Sequence, residues 1–581
     1  MNTRRFLAPL AFATLLAPTL VPTAAAEGVV LDGAQQKRID AVFKDYDKPD
    51  SPGCSLGVIS DGRIIYARGY GMAQLDPAVP IDSTKLFEVA SMSKQFTAAS
   101  IVLLAQQGRI RLTDDVHKYI PELPDYGAPI TINNLLWHTS GLRDYTVLLL
   151  LGSFDYFEVT TEAQALDFVK RQRKLDFAPG SRYSYSNTGY FLMSLIVKRV
   201  TGMSLNDFAR QQIFNPLAMP TAVYRDRHDL PIPNRALGYA PNGAGGFDVS
   251  ISNWEQVGDG GLHVSIEELQ KWDENFYHPQ VGGPAFVTEM LRRGALNDGR
   301  SLTYARGLQV DHYRGLARVR HGGDWVGYHA NLERFPEQHT SVALECNLDP
   351  IDQYALSKQV IDIVLEKAFT EPAPVDPPPA PSLPAERFVG EYYSKTLQEA
   401  FAVVAENGGL VFKILYLSLP MVALGPTTFT LADVPSARLE FAVQGDAKAH
   451  ALQFRLDRDD PDTSPVQASR FGPVAPADLT PYLGKFYSPE LNVTWSIVID
   501  PDGHLAVDDN DPTPVLPVKA PLNPAFADSF YGNAGFLRFT RTASGAVNGF
   551  DMSFNGLRDF RFDLQRPPFM TSWTSPDSQY R

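Results

Sequence analysis

Apolar positions along this 581-residue chain follow helical spacing in some stretches, and two-residue alternation or short apolar runs in others. Residues 35–46 read as a helix. Two strand-like runs follow, 54–60 and 63–68, joined by the turn Asp61-Gly62. A long middle section carries helix patterns, of which 95–107 and 162–173 are examples. Strand-like runs return at 317–320, 328–334 and 340–345, and a last helix pattern covers 354–368. Strands at both ends of this region around a helical middle predict one antiparallel sheet completed by both termini, an α/β (α+β) layered domain.

The pattern breaks at Glu371-Pro-Ala-Pro-Val-Asp-Pro-Pro-Pro-Ala-Pro-Ser-Leu-Pro384. Its prolines cannot support a helix or a central strand, so the stretch reads as an extended spacer. Beyond it come short strands with glycine and proline turns, and they repeat. Phe388-Val-Gly390-Glu-Tyr-Tyr393-Ser394 matches Tyr482-Leu-Gly484-Lys-Phe-Tyr487-Ser488, and Asn407-Gly-Gly-Leu410 matches Asp502-Gly-His-Leu505. Leu419-Pro420 with Phe429 matches Leu516-Pro517 with Phe526, and Arg438-Leu-Glu-Phe441 matches Phe536-Leu-Arg-Phe539. Ordered matches at a nearly constant offset predict two small antiparallel β-barrel (lipocalin-like) or sandwich modules in tandem. The expected division is 1–26 leader, 27–369 catalytic domain, 370–385 linker, 386–475 first barrel and 476–568 second barrel.

The leader rests on Arg4 and Arg5, an apolar stretch from Phe6 to Pro22, and the small residues Thr23-Ala-Ala-Ala26. Three prolines and a short length argue against a membrane anchor, and no later run is long enough to span a bilayer. The mature protein is expected in the periplasm or outside the cell. Cleavage would take the formal charge from −14 to −16. So acidic a chain gains no electrostatic affinity for phosphate backbones, which makes nucleic acid an improbable partner. The expected partner is a small molecule or short peptide, with self-association as a homodimer left open. The two cysteines, Cys54 and Cys346, both lie in strand-like runs. Export permits a bridge between them, and two buried free thiols is the alternative.

Three short motifs carry chemistry. Ser91-Met-Ser-Lys94 opens an apolar-periodic run through Met92, Phe96, Ala99 and Leu103. On a helix, Ser91 would stand in the first turn and Lys94 on the same face, where a desolvated amine can take the serine proton. Tyr185-Ser-Asn187 follows a loop-like stretch. A tyrosine there can relay a proton, and the asparagine amide can hold a carbonyl or the lysine. His321-Gly322-Gly323-Asp324 ends a strand-like run. Its glycines would let a substrate backbone lie along the strand edge, and His321 could assist proton transfer or bind an acidic group. Taken singly, each has an ordinary reading: a solvated helix start, a packed turn, a glycine-rich β-turn.

Together and in this order, the three motifs resemble the penicillin-binding-protein and serine β-lactamase clan, for which the serine–lysine motif is a known signature. The resemblance covers roughly residues 35–370. It includes Phe87-Glu-Val-Ala-Ser-Met-Ser-Lys-Gln-Phe-Thr97, Leu135-Leu-Trp-His-Thr-Ser-Gly-Leu142, Ile213-Phe-Asn-Pro-Leu-Ala-Met219 and Gly258-Asp-Gly-Gly-Leu-His263, and is strongest to the class C β-lactamase-like branch. It implies a β-lactamase/penicillin-binding-like fold and an acyl-enzyme mechanism on an amide or ester. Ser91 would be the nucleophile, Lys94 and Tyr185 the acid–base pair, the amides of Ser91 and Asp324 the oxyanion hole, with no metal or organic cofactor. One departure stands out. Where lysine of a Lys-Thr-Gly element usually meets a substrate carboxylate, this chain has His321, as D-aminopeptidase and esterase members do. The tandem barrels likewise resemble the D-aminopeptidase architecture, in which the last domain lends a loop to the active site. Asp508, Asp509 and Asp511 could then meet a substrate ammonium group, although a solvated turn explains them as well. The expectation is a D-aminopeptidase-like amidase. An esterase or β-lactamase/DD-peptidase on the same machinery, and a slowly acylating penicillin- or peptidoglycan-binding module, remain as alternatives.

Overall fold

The computed structural model describes residues 28–373, 379–432, 434–456, 461–508 and 521–565. The leader, part of the proline-rich spacer, Asp509, Asp511, Leu516-Pro517 and the tail from 566 lie outside the described residues.

The first unit is a six-stranded antiparallel sheet with helices on both faces. Its strands are β1 (Cys54–Ser60), β2 (Arg63–Tyr70), β3 (Gln309–Tyr313), β4 (Leu316–Trp325), β5 (Tyr328–Phe335) and β6 (Thr340–Cys346), in the order β3-β4-β5-β6-β1-β2. The two chain ends thus meet in its interior, as the strand pattern anticipates. Every residue of β1 and β6 is buried, because both faces are covered. Val342 and Leu344 face α1 (Gly33–Val42) and the late helix Gln353–Val364, while Ala343 faces the opposite layer of helices. Gly57 lets the helix Ile266–Glu274 approach, since a Cβ there would run into Ile266. Cys54 and Cys346 are direct partners in the β1/β6 register and form a disulfide, so the free-thiol alternative is excluded.

The helical layer is organised around α2 (Lys94–Gln106), which is buried on all sides from Lys94 to Leu104. A helix apolar around its whole circumference belongs in a core, and Lys94 is the one charge in its thirteen residues. The sequence pattern starts this helix near Ser91. The structure instead places Ala90–Ser93 in a 3₁₀ turn leading into it. The sequence reading also ends a strand at Arg320, whereas β4 continues through His321-Gly-Gly-Asp324 to Trp325. The glycine motif is therefore strand rather than turn.

After the spacer come two closed barrels of eight antiparallel strands each, in sequential order: Gly390–Ser394 to Val466–Phe471, and Gly484–Ser488 to Leu557–Leu564. The internal repeat has a structural counterpart. Gly390 and Gly484 open the first strand of each barrel, and Phe441 and Phe539 both lie on the sixth. Aromatic side chains fill each interior, among them Tyr392, Phe401, Phe412 and Phe441 in the first, and Phe486, Trp495, Phe539 and Phe550 in the second. The core of the second barrel is continuous with that of the helical layer. Among the described residues no helix is long and apolar enough to cross a membrane.

Candidate active site

A cleft of about 1440 Å³ opens beside β4, lined by Ser91, Tyr185, Asn187 and the His321-to-Asp324 stretch, with Lys94 buried beneath. All eight expected residues around the nucleophile thus come together.

Ser91 is presented by a tight turn. The Val89 N–H donates to the Leu262 carbonyl at 2.9 Å, and Ala90 takes a left-handed backbone with φ of 45°. Such a conformation is costly for a residue with a Cβ and persists only where the surroundings enforce it. Lys94 is fully buried, and its Nζ reaches Ser91 Oγ at 2.9 Å, Asn187 Oδ1 at 2.8 Å and the Asp259 carbonyl at 2.7 Å. Burial pushes its pKa down, while the Asp259 and Asp144 carboxylates hold it partly up. Two of the three partners can only accept. In the neutral amine the lone pair therefore has one productive direction, toward the hydroxyl of Ser91.

Tyr185 is 40 % exposed, and its hydroxyl end engages Ser91. Burial of that end raises its pKa well above the ordinary phenol value, so the resting residue is a neutral donor. Its ring lies over Lys94 Nζ at 4.9 Å from the centroid and packs on His138 at 4.2 Å. His138 accepts from the Ser186 N–H through Nδ1 and is enclosed by Tyr183, Tyr190 and Tyr304 as well.

Gly323 runs directly against the nucleophile turn. A Cβ on it would sit 2.8 Å from Ser91 N and would collide with the Val89 carbonyl, so glycine is required there. Strand alternation turns the Asp324 side chain to the other face of β4. There it accepts from His329 Nδ1 at 2.9 Å and Gln353 Nε2 at 2.7 Å. Flanked by Asp324 and Asp349, His329 has its pKa raised to about 9 despite its burial, and it carries charge at neutral pH. β3 pairs with β4 only as far as Arg320, so among the described residues the outer edge of β4 from His321 onward has no strand neighbour and faces the cleft.

His321 needs a correction. Its Nδ1 lies 2.7 Å from the Gly322 carbonyl, which can only accept, so the proton sits on Nδ1. Its Nε2 then accepts from the Tyr304 hydroxyl at 3.0 Å. Burial, reinforced by Lys94, lowers its pKa to about 3. A neutral imidazole with both nitrogens engaged offers neither a charge for an acidic substrate group nor a free base.

Asp508 ends the third strand of the second barrel and does not line the cleft, and Asp509 and Asp511 lie outside the described residues. The described barrel residues that reach the cleft belong to the first barrel instead: Val434, Pro435, Ser436 and Pro461. Next to them, Asp462 accepts from the Thr303 N–H and hydroxyl at 2.8 Å and the Tyr304 N–H at 2.9 Å. The first barrel is thereby tied to the residue that holds His321.

Sequence reasoning assigned no role to Asp144, Tyr145, Asp259, His138 or Tyr304. Asp144 Oδ1 caps the helix Tyr145–Leu151, and Oδ2 takes the Asn187 N–H at 2.6 Å. Asp259 accepts from the Tyr145 hydroxyl at 3.0 Å, and burial raises its pKa. His138 and Asp259 did carry a signal, since each lies inside a stretch that belongs to the family resemblance. Tyr304 carried none.

A nucleophilic serine, a desolvated lysine whose lone pair is aimed at it, and a tyrosine closing over both are the working parts of an acyl-transferring serine hydrolase. The chain belongs to the beta-lactamase family, whose model matches residues 39–364, more than half its length. It is 27% identical over 437 residues to penicillin-binding protein 4* of Bacillus subtilis, covering 71% of this chain and 95% of that one. A D-aminopeptidase of Cereibacter sphaeroides is 27% identical over 454 residues, covering 76% and 80%. One of Gluconobacter oxydans is 26% identical over 374 residues, covering 64% and 69%. Among solved structures, the fold is shared with the octameric penicillin-binding protein homologue from Pyrococcus abyssi. The TM-score is 0.53 at 20% identity, over 75% of this chain and 99% of that one.

Proposed function

We propose that this protein is an acyl-enzyme amidohydrolase of D-aminopeptidase type, acting on amides or esters of small aminoacyl or short-peptide substrates. The observation that carries the reading is the Ser91–Lys94 contact of 2.9 Å, with the lysine's other two partners restricted to accepting. As Ser91 Oγ attacks the substrate carbonyl carbon, its proton passes to Lys94 Nζ. The N–H groups of Ser91 and Asp324 take the developing oxyanion, and the Asn187 amide nitrogen, left over from the bond to Lys94, steadies a substrate carbonyl. Tyr185 protonates the leaving amine or alkoxide and is reprotonated from Lys94. Water then attacks the acyl-enzyme with the same groups in reverse roles.

Neutral His321 at the third element removes the cation that a free carboxylate would seek, which favours an amide or ester over a β-lactam or a C-terminal carboxylate substrate. The D-aminopeptidases among the relatives point the same way. Likeness to penicillin-binding protein 4* over nearly all of that protein's length keeps penicillin acylation as the second reading. We assign the barrels a supporting part rather than lipocalin-like ligand carriage, because their interiors are filled by side chains. A location outside the cytoplasm is supported by the leader pattern and by the disulfide.

Release of nitroaniline from D-alanine p-nitroanilide, with Ser91→Ala and the L-isomer beside it, tests the reading. Turnover lost in the mutant sustains it. Inertness toward the amide together with stable labelling by a fluorescent penicillin sinks it in favour of the second.

A further inference from the structure

Asn187 owes its place to a neighbouring segment, and that segment is held from outside the catalytic unit. The Leu142 carbonyl accepts from Ser186 Oγ at 3.3 Å, and the Arg143 carbonyl accepts from Thr188 Oγ1 at 2.7 Å. Asp144 Oδ2 takes the Asn187 N–H, and the Tyr145 N–H donates to Thr188 Oγ1 at 2.7 Å. Residues 142–145 therefore clamp 186–188 on both sides of the asparagine that bonds Lys94.

The side chain of Arg143 points the other way, into the second barrel. It is 1 % exposed and Glu490 3 %. One guanidinium nitrogen meets Glu490 Oε1 at 2.9 Å and Gln172 Oε1 at 2.8 Å, and another donates to the Arg558 carbonyl. The guanidinium lies 4.3 Å from the centroid of the Phe560 ring. Glu490 also accepts the Arg173 N–H at 2.9 Å, so one carboxylate oxygen grips two parts of the catalytic unit. The repeat does not require this. By the offset between Ser394 and Ser488, Thr396 stands in the first barrel where Glu490 stands in the second.

We propose that Glu490 is a positioning residue for the active site: by fixing Arg143 it holds the 142–145 segment, and through it Asn187 against Lys94. A buried ion pair sets position more than it adds stability; without Glu490, the carboxylate contact left to Arg143 would be the longer 3.6 Å approach of Asp176 to its Nε. The inference rests on the serine-hydrolase reading and concerns that same site.

The test is the rate at which a fluorophosphonate phosphonylates Ser91 with loss of fluoride, as a surrogate for acylation, in the full chain, beside kcat and KM for whichever ester or amide the wild type hydrolyses. Glu490→Ala should slow acylation and lower kcat by about 10- to 100-fold, with KM little changed, as small misplacements of catalytic groups do. Glu490→Gln keeps the accepting oxygen and should recover most of the loss. Asp528→Ala removes a carboxylate bonded to Tyr482 and Arg541 within the second barrel, and serves as the control for mere destabilisation. Should Glu490→Ala fail to fold, Arg143→Lys takes its place, since an ammonium cannot span Gln172, Glu490 and the Arg558 carbonyl together. Wild-type acylation by a folded Glu490→Ala or Arg143→Lys protein overturns the inference, as does an equal loss in Asp528→Ala. A wild-type protein that does not react at all sinks the hydrolase reading, and this inference with it.

Discussion

The hydroxyl of Tyr304 donates to Nε2 of His321 at 3.0 Å while the N–H of the same tyrosine donates to Asp462 of the first barrel at 2.9 Å. One residue thus joins the third motif of the active site to a loop that lies 158 positions beyond that tyrosine in sequence.

Tyr304→Phe leaves the buried Nε2 of His321 without a donor, a loss of about 1–3 kcal/mol. Its midpoint in urea should fall accordingly, with a reduced kcat because the strand carrying Gly323 loses its support. Asp462→Ala should produce the same kinetic change in weaker form. Unchanged kinetics in both would show that the first barrel does not steady this wall.

Activity should report the lysine. Because burial lowers the pKa of Lys94, kcat/KM should rise with pH through an apparent pKa below the ordinary amine value of 10.5. Lys94→Met should cost about 10²–10⁴-fold, the usual range for a lost general base, and abolish that limb. A pH profile left intact by the substitution would assign the limb elsewhere.

Adding one methyl group separates the two glycines of β4. Gly323→Ala places a Cβ against Ser91 N and the Val89 carbonyl, both backbone, so the nucleophile turn must move and activity should fall about 100-fold. Gly322→Ala first meets the ring and hydroxyl of Tyr354, the outer end of a half-exposed side chain that can swing aside, and should cost far less. Circular dichroism and kcat on both variants decide the point.

Acid should destabilise the protein through buried histidines. His321 has its pKa lowered to about 3, and His138 and His263 lie well below the ordinary value, all chiefly by burial. At these three positions the unfolded chain binds more protons than the folded one below pH 6.5, so their contribution to stability drops as pH falls through that value toward 3. Glu345, raised by burial, acts oppositely: its contribution is present below its unfolded value and lost as pH rises through its folded one. Urea unfolding of wild type and His321→Asn at pH 7 and at pH 4.5 isolates the effect: the variant should lose less stability, or gain more, on acidification than the wild type does.

Reduction of Cys54–Cys346 should lower stability by about 2–5 kcal/mol while leaving kcat at 25 °C nearly unchanged, because the bridge joins β1 to β6 rather than touching the cleft. Thermal melts with and without dithiothreitol, and of Cys54→Ala/Cys346→Ala, measure it.

Much of this architecture could be read in one dimension. Strand and helix follow from local periodicity, so the strand Cys54–Ser60 and the helix beginning beside Ser91 were legible to within a few residues. Ser91 and Lys94 are three positions apart, and a single helical turn suffices to bring them together. Order along the chain also carried the repeat of the barrels and the set of three motifs. The stretch from His321 to Asp324 was misread as a strand end because two glycines are turn formers locally. Their place inside β4 is set by β5 on one side and the nucleophile turn on the other.

What the sequence carried by itself, then, was whatever depends on spacing, namely the elements and their order along the chain, while the serine, lysine and tyrosine stood out only as a set that resembles a known family. Tertiary structure alone decided the protonation and the supports. Whether His321 is a cation or a neutral acceptor depends on burial and on a tyrosine hydroxyl brought up from Tyr304. That described residues of the first barrel reach the cleft, and that Glu490 holds Arg143, depend on how the closed barrels dock. The physical reason is that desolvation and hydrogen bonding are set by neighbours in space, and those neighbours here lie up to hundreds of residues away along the chain.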